Sequence, residues 1–145
     1  SIITNAKVSN RVIALFDNDT AGKKEIKLLS RKIDNKYKYI SLPDDDFFKE
    51  YPTYFPNGEI VKCDINGKAC SIEMYFPKEV LLSDGVYEPI IWKGYEESLK
   101  QHQGEINNKT KINNNFKNIL NKENILDYDW SLAKKVLEAI FDLWK

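Results

Sequence analysis

Apolar and polar residues at the start of the chain follow a pattern that predicts a strand, a helix and a second strand. Residues 11–16 are apolar almost throughout and predict a buried, central strand of a parallel sheet. Residues 22–34 predict a helix, and residues 37–42 predict the next strand, which Pro43 ends. One face of this helix would carry Ile26, Leu29 and Ile33. A strand–helix–strand unit of this kind is right-handed and has parallel strands.

The middle of the chain is rich in loops and predicts a β insertion. Residues 60–65 predict a strand, and Asn57-Gly58 and Asn66-Gly67 on either side of it have the chemistry of hairpin turns. The run Ser71–Tyr75 fits a strand by its alternation, or a short helix capped by its serine. Residues 86–92 predict a further strand.

The last third of the chain predicts two helices, preceded by a short helix or loop over residues 97–103. The first helix spans residues 106–120, and the second spans about residues 131–144, with Asp129 or Ser131 as its cap. The second helix has a wide apolar stripe, which is typical of core and consists of Leu132, Val136, Leu137, Ile140, Phe141 and Trp144. Part of that stripe would otherwise contact a missing segment or a second copy of the chain.

Composition narrows the class of protein. A chain of 145 residues fits one domain, and its 22 basic and 22 acidic residues give no overall attraction for polyanions. Basic residues nevertheless concentrate in the first forty positions, where they could meet a phosphate backbone or form a solvated helix face. Cys63 and Cys70 are typical of buried thiols in a reducing compartment, and with no membrane span or signal-peptide pattern we expect a cytoplasmic protein.

Two aspartates follow the first predicted strand directly. Ligands bind beyond the carboxyl ends of the strands in open α/β sheets, and alternate residues point the same way. Asp17 and Asp19 could therefore share a site, and their hard oxygen ligands suit Mg²⁺ or Mn²⁺. Gly22 would allow a tight turn into the helix. The alternative interpretation is that these acids serve only as turn and N-cap residues.

The run Phe16-Asp17-Asn18-Asp19-Thr20-Ala21-Gly22 resembles the second motif of Toprim domains. That resemblance implies an α/β, Rossmannoid fold and two metal-binding aspartates. Toprim domains also carry a glutamate at the end of an earlier strand, and the ten residues before Arg11 contain none. We therefore expect residues 1–145 to form one truncated Toprim-like domain, a parallel sheet with a loop-rich β insertion and C-terminal helices, without its first strand–helix–strand portion.

A second resemblance covers the chain from about Arg11 to its end. The runs that carry it are Tyr51-Pro52-Thr53, Asp64–Tyr75, Trp92-Lys93-Gly94-Tyr95 and Gln103-Gly104-Glu105-Ile106. In this order they resemble bacterial HEPN/Toprim N-terminal domain proteins. The resemblance implies a larger parent protein that carries a HEPN ribonuclease-type region. The Arg-x-x-x-x-His pattern of HEPN catalysis does not occur here, since the single histidine, His102, is preceded at that spacing by Glu97.

Two further residues are candidates through a more distant resemblance to OLD-type Toprim nucleases. Ser71-Ile72-Glu73-Met74-Tyr75 resembles a run that opens a helix in those enzymes, with its glutamate near the metal. Lys109-Thr110-Lys111-Ile112 resembles a late helix start whose lysine lies near the scissile phosphate. Glu73 and Lys109 are thus candidate catalytic residues, with Lys111 as the alternative lysine. Both could equally be ordinary surface residues.

The expected function follows from these resemblances. The chain would be part of a bacterial nuclease or related protein that processes DNA or RNA with Mg²⁺ or Mn²⁺, in a defence or maintenance setting. The alternative is a catalytically silent binding or scaffold module beside a HEPN-type ribonuclease region. A haloacid dehalogenase-type phosphatase fits poorly, because position 21 is alanine where that pattern has Thr or Val.

Overall fold

The first strand, which ends at Phe16, belongs to a small parallel pair of strands. In this computed structural model, which describes residues 12–30, 37–143 and 145, strand β1 (Val12–Phe16) pairs in parallel with β3 (Tyr37–Ser41). Helix α1 (Thr20–Leu29) lies between them in sequence. The predicted parallel strand–helix–strand unit is confirmed. The predicted position of Ile33, and residues 1–11, lie outside the described residues.

The prediction that the first strand is central and buried is wrong for the described part of the chain. There β1 pairs with β3 alone, and most of its residues are only half-buried. Leu15 is 39 % exposed, and on α1 Leu28 is 52 % exposed. A run of apolar residues predicts a strand covered on both faces, but the number of neighbouring strands is decided by distant segments.

The largest sheet belongs to the middle of the chain and is mixed. Its order is β10–β9–β4–β5, with antiparallel pairing except between β4 and β9. The strands are β4 (Tyr51–Tyr54), β5 (Ile60–Cys63), β9 (Ile90–Glu96) and β10 (Gln101–Ile106). The turn at Asn57-Gly58 joins β4 and β5 as predicted, with Gly58 at φ 88°, a value that favours glycine.

Two minor pairs complete the sheets. Strand β2 (Asn18–Asp19) pairs antiparallel with β6 (Ala69–Cys70), and β7 (Leu82–Ser83) pairs with β8 (Val86–Tyr87). Among the described residues the protein is therefore a mixed α/β fold with three helices and four small sheets. The turn at Asn66-Gly67 leads to β6, which pairs with β2, so this turn does not form the predicted hairpin.

Several predicted elements need correction. Residues 97–103, predicted as a short helix or loop, form a turn and the start of β10. The strand predicted over 86–92 is broken at Glu88-Pro89 into β8 and the start of β9, because proline cannot donate to a ladder. The run Ile72–Tyr75 is a short 3₁₀ helix, so the helical alternative is correct. Ser71 holds the N-cap position, but its side chain makes no capping hydrogen bond.

The two C-terminal helices are α2 (Lys109–Leu120) and α3 (Ser131–Asp142). Ile106, predicted to begin the first of them, ends β10 instead. The predicted cap of α3 is wrong, because Trp130 holds the N-cap position and no side chain makes a capping hydrogen bond there. Asp129 instead accepts a hydrogen bond from the Ser131 amide at 3.0 Å. The apolar stripe of α3 is only partly core, since Leu137 and Phe141 are 54 % and 68 % exposed. The predicted stripe member Trp144 lies outside the described residues.

The hydrophobic core lies in the insertion and the last helices. Buried apolar side chains of the described residues occur between Leu42 and Val136. Stacked rings of Phe76 and Phe116, with centroids 3.8 Å apart, attach α2 to the segment after the 3₁₀ turn. Cys70 is buried as predicted and burial raises the pKa of its thiol, while Cys63 is half-buried. No helix of the described chain combines the length and the apolar character needed to cross a bilayer.

Candidate functional site

The two aspartates lie where β1 gives way to β2 and α1. Asp19 caps α1, since its Oδ1 accepts a hydrogen bond from the Gly22 amide at 2.6 Å. The N-cap interpretation is therefore correct for this residue, and its second carboxylate oxygen remains available for another role. Asp17 has a different partner, because its Oδ1 accepts from the amide of Ile72 at 2.9 Å.

The pairing of β2 with β6 brings Glu73 to the aspartates. Asn18 lies opposite Cys70 in that pair, so the residues that follow β6 run past Asp17. The chain then turns through Ile72–Tyr75, and the buried Met74 and Tyr75 side chains hold this turn against the core. A segment more than fifty residues away in sequence thus places its glutamate beside the first aspartate.

Lys109 reaches the same place from the start of α2. Its Nζ lies 3.8 Å from Oε1 of Glu73. The residue before it, Asn108, has a left-handed backbone at φ 52° and hydrogen-bonds the buried carboxylate of Glu88 at 3.0 Å. Lys111, the alternative lysine, instead acts on Glu88, where burial and the hydrogen bonds from neighbouring side chains affect the carboxyl pKa more than the Lys111 charge does. We call Asp17, Asp19, Glu73 and Lys109 the acid–lysine cluster.

The electrostatics of Asp17 connect the members of this cluster. Burial raises the pKa of the Asp17 carboxyl above its ordinary value, and the charges of Asp19 and Glu73 raise it further. The Ile72 amide and the Lys109 charge act in the opposite direction without cancelling the effect. Like charges gathered in a half-buried place favour either a proton or a cation.

Unpartnered polar atoms beside Asp17 test whether a divalent cation fits here. Oε2 of Glu73 and the hydroxyl of Ser71 are buried and lack a hydrogen-bond partner. An orphaned carboxylate oxygen is costly in a folded protein and suits a hard cation. Across residues 12–30 and 37–143, however, no three His, Cys, Asp or Glu side chains are arranged to hold a metal together. A Mg²⁺ or Mn²⁺ ion at this place would have few protein ligands and would keep most of its coordination positions for water.

A second acidic group, Asp44-Asp45-Asp46, has ion pairs of its own at Asp45 and Asp46 and contacts the residue between the two aspartates through Asp44. It lines a pocket of about 370 Å³. Lys135 lies 2.9 Å from Oδ2 of Asp45, and Lys49 lies 2.7 Å from Oδ1 of Asp46. Asp44 accepts a hydrogen bond from the Asn18 side chain at 2.7 Å. These contacts give the triplet a structural part in its loop.

Sequence reasoning missed the residues that hold the cluster in place. Thr20 is 2 % exposed, and its hydroxyl lies 2.9 Å from the carbonyl of His102 and 3.2 Å from that of Lys68. Glu88 holds the start of α2 through the side chains of Asn107 and Asn108. Thr20 had no local signal, because its partners lie at least 48 residues away along the chain, and the bonds by which Glu88 holds α2 span 19 and 20 residues.

Comparisons of this chain with protein-family models, with curated proteins and with solved structures found no match.

Proposed function

We propose that this chain is the Toprim-like metal-binding part of a protein that processes nucleic acid, with phosphodiester cleavage as its reaction. One observation carries the proposal. Two aspartates, a glutamate and a lysine, drawn from three distant segments, interact in one half-buried cluster. Structural ion pairs also perturb pKa values, but an orphaned carboxylate oxygen at the same place favours a site.

Each member of the cluster has a distinct part in this proposal. Asp17 and Asp19 bind Mg²⁺ or Mn²⁺, and the cation relieves the repulsion that raises the pKa of Asp17. A bound divalent cation polarises a phosphoryl oxygen and lowers the pKa of its water. Lys109 stabilises charge on the phosphate oxygens, and Glu73 supplies a further acid and positions the lysine.

A catalytically silent module is the second candidate, and it has an observation of its own. The described residues contain no three-ligand metal group, and Glu73 already engages the lysine charge. In such a module the acid–lysine cluster stabilises the junction between β2, β6 and α2. The chain then serves to recognise a partner or to position a neighbouring ribonuclease region.

A metal titration separates these two functions. Mn²⁺ should selectively broaden, and Mg²⁺ should shift, the amide signals of residues 17–22 and 72–73. Asp17→Asn should weaken binding at least tenfold, because one of few carboxylate ligands is lost. Asp127→Asn, an exposed aspartate on a short 3₁₀ turn, is the matched control and should bind metal as the wild type does. Metal-induced broadening or shifts concentrated at another acidic group would contradict the metal assignment of Asp17 and Asp19, and the silent module would then be the remaining candidate.

Cleavage provides the second test of the proposal. This chain by itself should cleave nucleic acid weakly or not at all, since only two aspartates are assigned to the metal. In a longer protein that contains it and cleaves, Lys109→Ala should reduce turnover by ~10²-fold while leaving the fold intact. Lys117→Ala, an exposed lysine on the same helix, is the control. Full activity in the Lys109 variant would exclude the assigned role of that lysine.

A further inference from the structure

A pocket lined by aromatic rings lies on the large sheet, next to the acid–lysine cluster. It has a volume of about 230 Å³. Its walls are the rings of Phe55, Trp92, Tyr95 and His102, and Lys68 and Lys100 also line it. This volume is below the roughly 300–1,000 Å³ of pockets for drug-sized ligands, so it suits one planar group.

The rings of this aromatic pocket form a continuous surface. Tyr95 and His102 are opposite each other across β9 and β10, with ring centroids 5.1 Å apart. The Trp92 and Phe55 rings each lie about 6 Å from the His102 ring. Trp92 is 4 % exposed and belongs to the core, whereas Tyr95 is 47 % exposed and His102 is exposed. The outer two rings therefore offer faces on which a ligand can stack.

The charges around the pocket favour an anionic partner. Lys100 is exposed in the turn between β9 and β10, at φ 51°. Lys68 donates to the backbone carbonyl of Asp64, which leaves its charge without a carboxylate partner among the described contacts. The one acid that lines the pocket, Asp64, accepts hydrogen bonds from the amide and side chain of Asn66. Two cations beside partly exposed aromatic rings are a combination that binds a base and its phosphate.

The pocket is joined to the acid–lysine cluster by direct contacts. Lys68 forms a backbone bridge with Asp19, and it also lines a second cavity of about 270 Å³ that includes Asp19 and Thr20. The Thr20 hydroxyl is hydrogen-bonded to the carbonyl of His102, and Gln101 donates to that hydroxyl at 2.9 Å. A nucleic-acid strand with a phosphate at Asp19 would therefore place a neighbouring base close to the aromatic rings of the pocket.

We propose that the aromatic pocket binds a base of a single-stranded nucleic acid, whose backbone phosphates contact Lys68 and Lys100. This rests on the proposed function for its ligand class, and it adds a site that positions the strand. Base–aromatic stacking tolerates any base, so the site would confer little sequence preference.

The test measures binding of a short, labelled, single-stranded oligonucleotide to the chain in EDTA. Tyr95→Ala should weaken binding roughly 5- to 100-fold through the loss of stacking, and Tyr95→Phe should retain it. Tyr54→Ala removes a comparably exposed tyrosine of the same sheet that does not line the pocket, and should bind as the wild type does. Lys100→Gln should weaken binding and reduce its dependence on salt.

The chemistry of the probe gives a second comparison. An abasic strand of the same length and charge should bind more weakly than the intact strand, and a mononucleotide should also bind more weakly because it offers fewer phosphates. Equal binding of the abasic strand would overturn the proposal, since charge alone would then explain it. Equal binding of the mononucleotide, or unchanged binding by Tyr95→Ala, would overturn it as well.

Failure of this proposal is distinguishable from failure of the proposed function. Tyr95→Ala should leave the metal-induced changes at residues 17–22 intact, and the wild-type chain should keep its oligonucleotide binding in EDTA. Metal binding without strand binding would overturn the pocket alone. Strand binding without metal binding would support the pocket and contradict the metal assignment.

Discussion

The carboxyl group of Asp17 lies where a negative charge is unfavourable. Its carboxylate is half-buried near Asp19 and Glu73, with one backbone amide and one lysine as compensation. A structural residue would be expected to have a full set of partners, and functional sites are where such charge repulsion is retained. The raised pKa of this carboxyl leads to a measurable dependence of stability on pH.

Asp17→Asn should increase the free energy of unfolding at neutral pH. Because the folded-state pKa lies above the ordinary 3.8, the folded protein binds more protons than the unfolded chain in the interval above pH 3.8. The wild type therefore loses stability relative to the variant as pH rises through that interval, and the two should converge towards lower pH. Urea unfolding at a series of pH values measures the difference, with Asp127→Asn as the control. A variant less stable than the wild type at neutral pH would contradict the electrostatic account.

Position 22 has no room for a side chain, so a glycine is required there. A Cβ there would lie 2.1 Å from the backbone oxygen of Asp17 and 3.2 Å from Oδ1 of Asp19. Helix propensity by itself predicts that alanine stabilises this position by about 1 kcal/mol. The close approach predicts the opposite sign, because backbone atoms must move.

Gly22→Ala should therefore destabilise the protein by about 1–3 kcal/mol, the usual range for overpacking, and should shift the amide signals of residues 17 and 72. Gly85→Ala is the control, because a Cβ there meets nothing within 4 Å and the change strains only a positive φ. It should lose stability without altering the cluster signals. A stabilised Gly22→Ala variant would show that propensity dominates at this position.

Among the secondary-structure elements, the start of α2 determines where Lys109 points. Glu88, 6 % exposed, accepts hydrogen bonds from the side chains of Ser83, Asn107 and Asn108. Burial alone would raise the pKa of the Glu88 carboxyl, but these bonds hold it below its ordinary value. Glu88 is thus a positioning residue, one step removed from the acid–lysine cluster.

Glu88→Gln should cost about 1–3 kcal/mol at neutral pH, since an amide cannot accept all of these hydrogen bonds. The folded-state pKa lies below the ordinary 4.5, so the contribution of the carboxylate is present above pH 4.5 and is lost as pH falls below it. The stability difference from the wild type should shrink accordingly in acid. Glu123→Gln, at an exposed position, should show no such difference. An unchanged Lys109 signal in Glu88→Gln would argue against the positioning role.

In the molecule as a whole, the candidate metal residues and the core belong to different parts of the described chain. Asp17 and Asp19 adjoin the half-buried β1, whereas the buried apolar side chains lie between Leu42 and Val136. The core therefore supports Glu73 and Lys109 more directly than it supports the aspartates. Segments with few buried apolar side chains open more readily.

Hydrogen exchange should show this division. Amides of β1 and α1 should exchange at least tenfold faster than those of β9, β10 and α2, because the first unit can open without breaching the core. Saturating Mg²⁺ should slow exchange at residues 17–22 if the metal proposal is right. Equal protection of both parts would mean that the chain unfolds as one cooperative unit. Such a result would leave the cluster as rigid as the core.

Local sequence determined the elements whose causes are local. The strand–helix–strand order before Pro43, the turn at Gly58 and the burial of Cys70 follow from patterns within a few residues, and the structure has each of them. The Asp17–Gly22 run similarly contains its own capping chemistry, since Asp19 and Gly22 are three residues apart. These features depend on propensity, periodicity and turn geometry.

Tertiary structure decided everything that depends on distant partners. The register of β2 with β6 places Glu73 at Asp17, and residues 101–103, predicted as part of a helix or loop, form the start of β10. The aromatic pocket likewise needs Phe55, which follows β4, together with residues of β9 and β10. Strand pairing is a choice among many distant segments, and burial energy summed over the whole chain makes that choice.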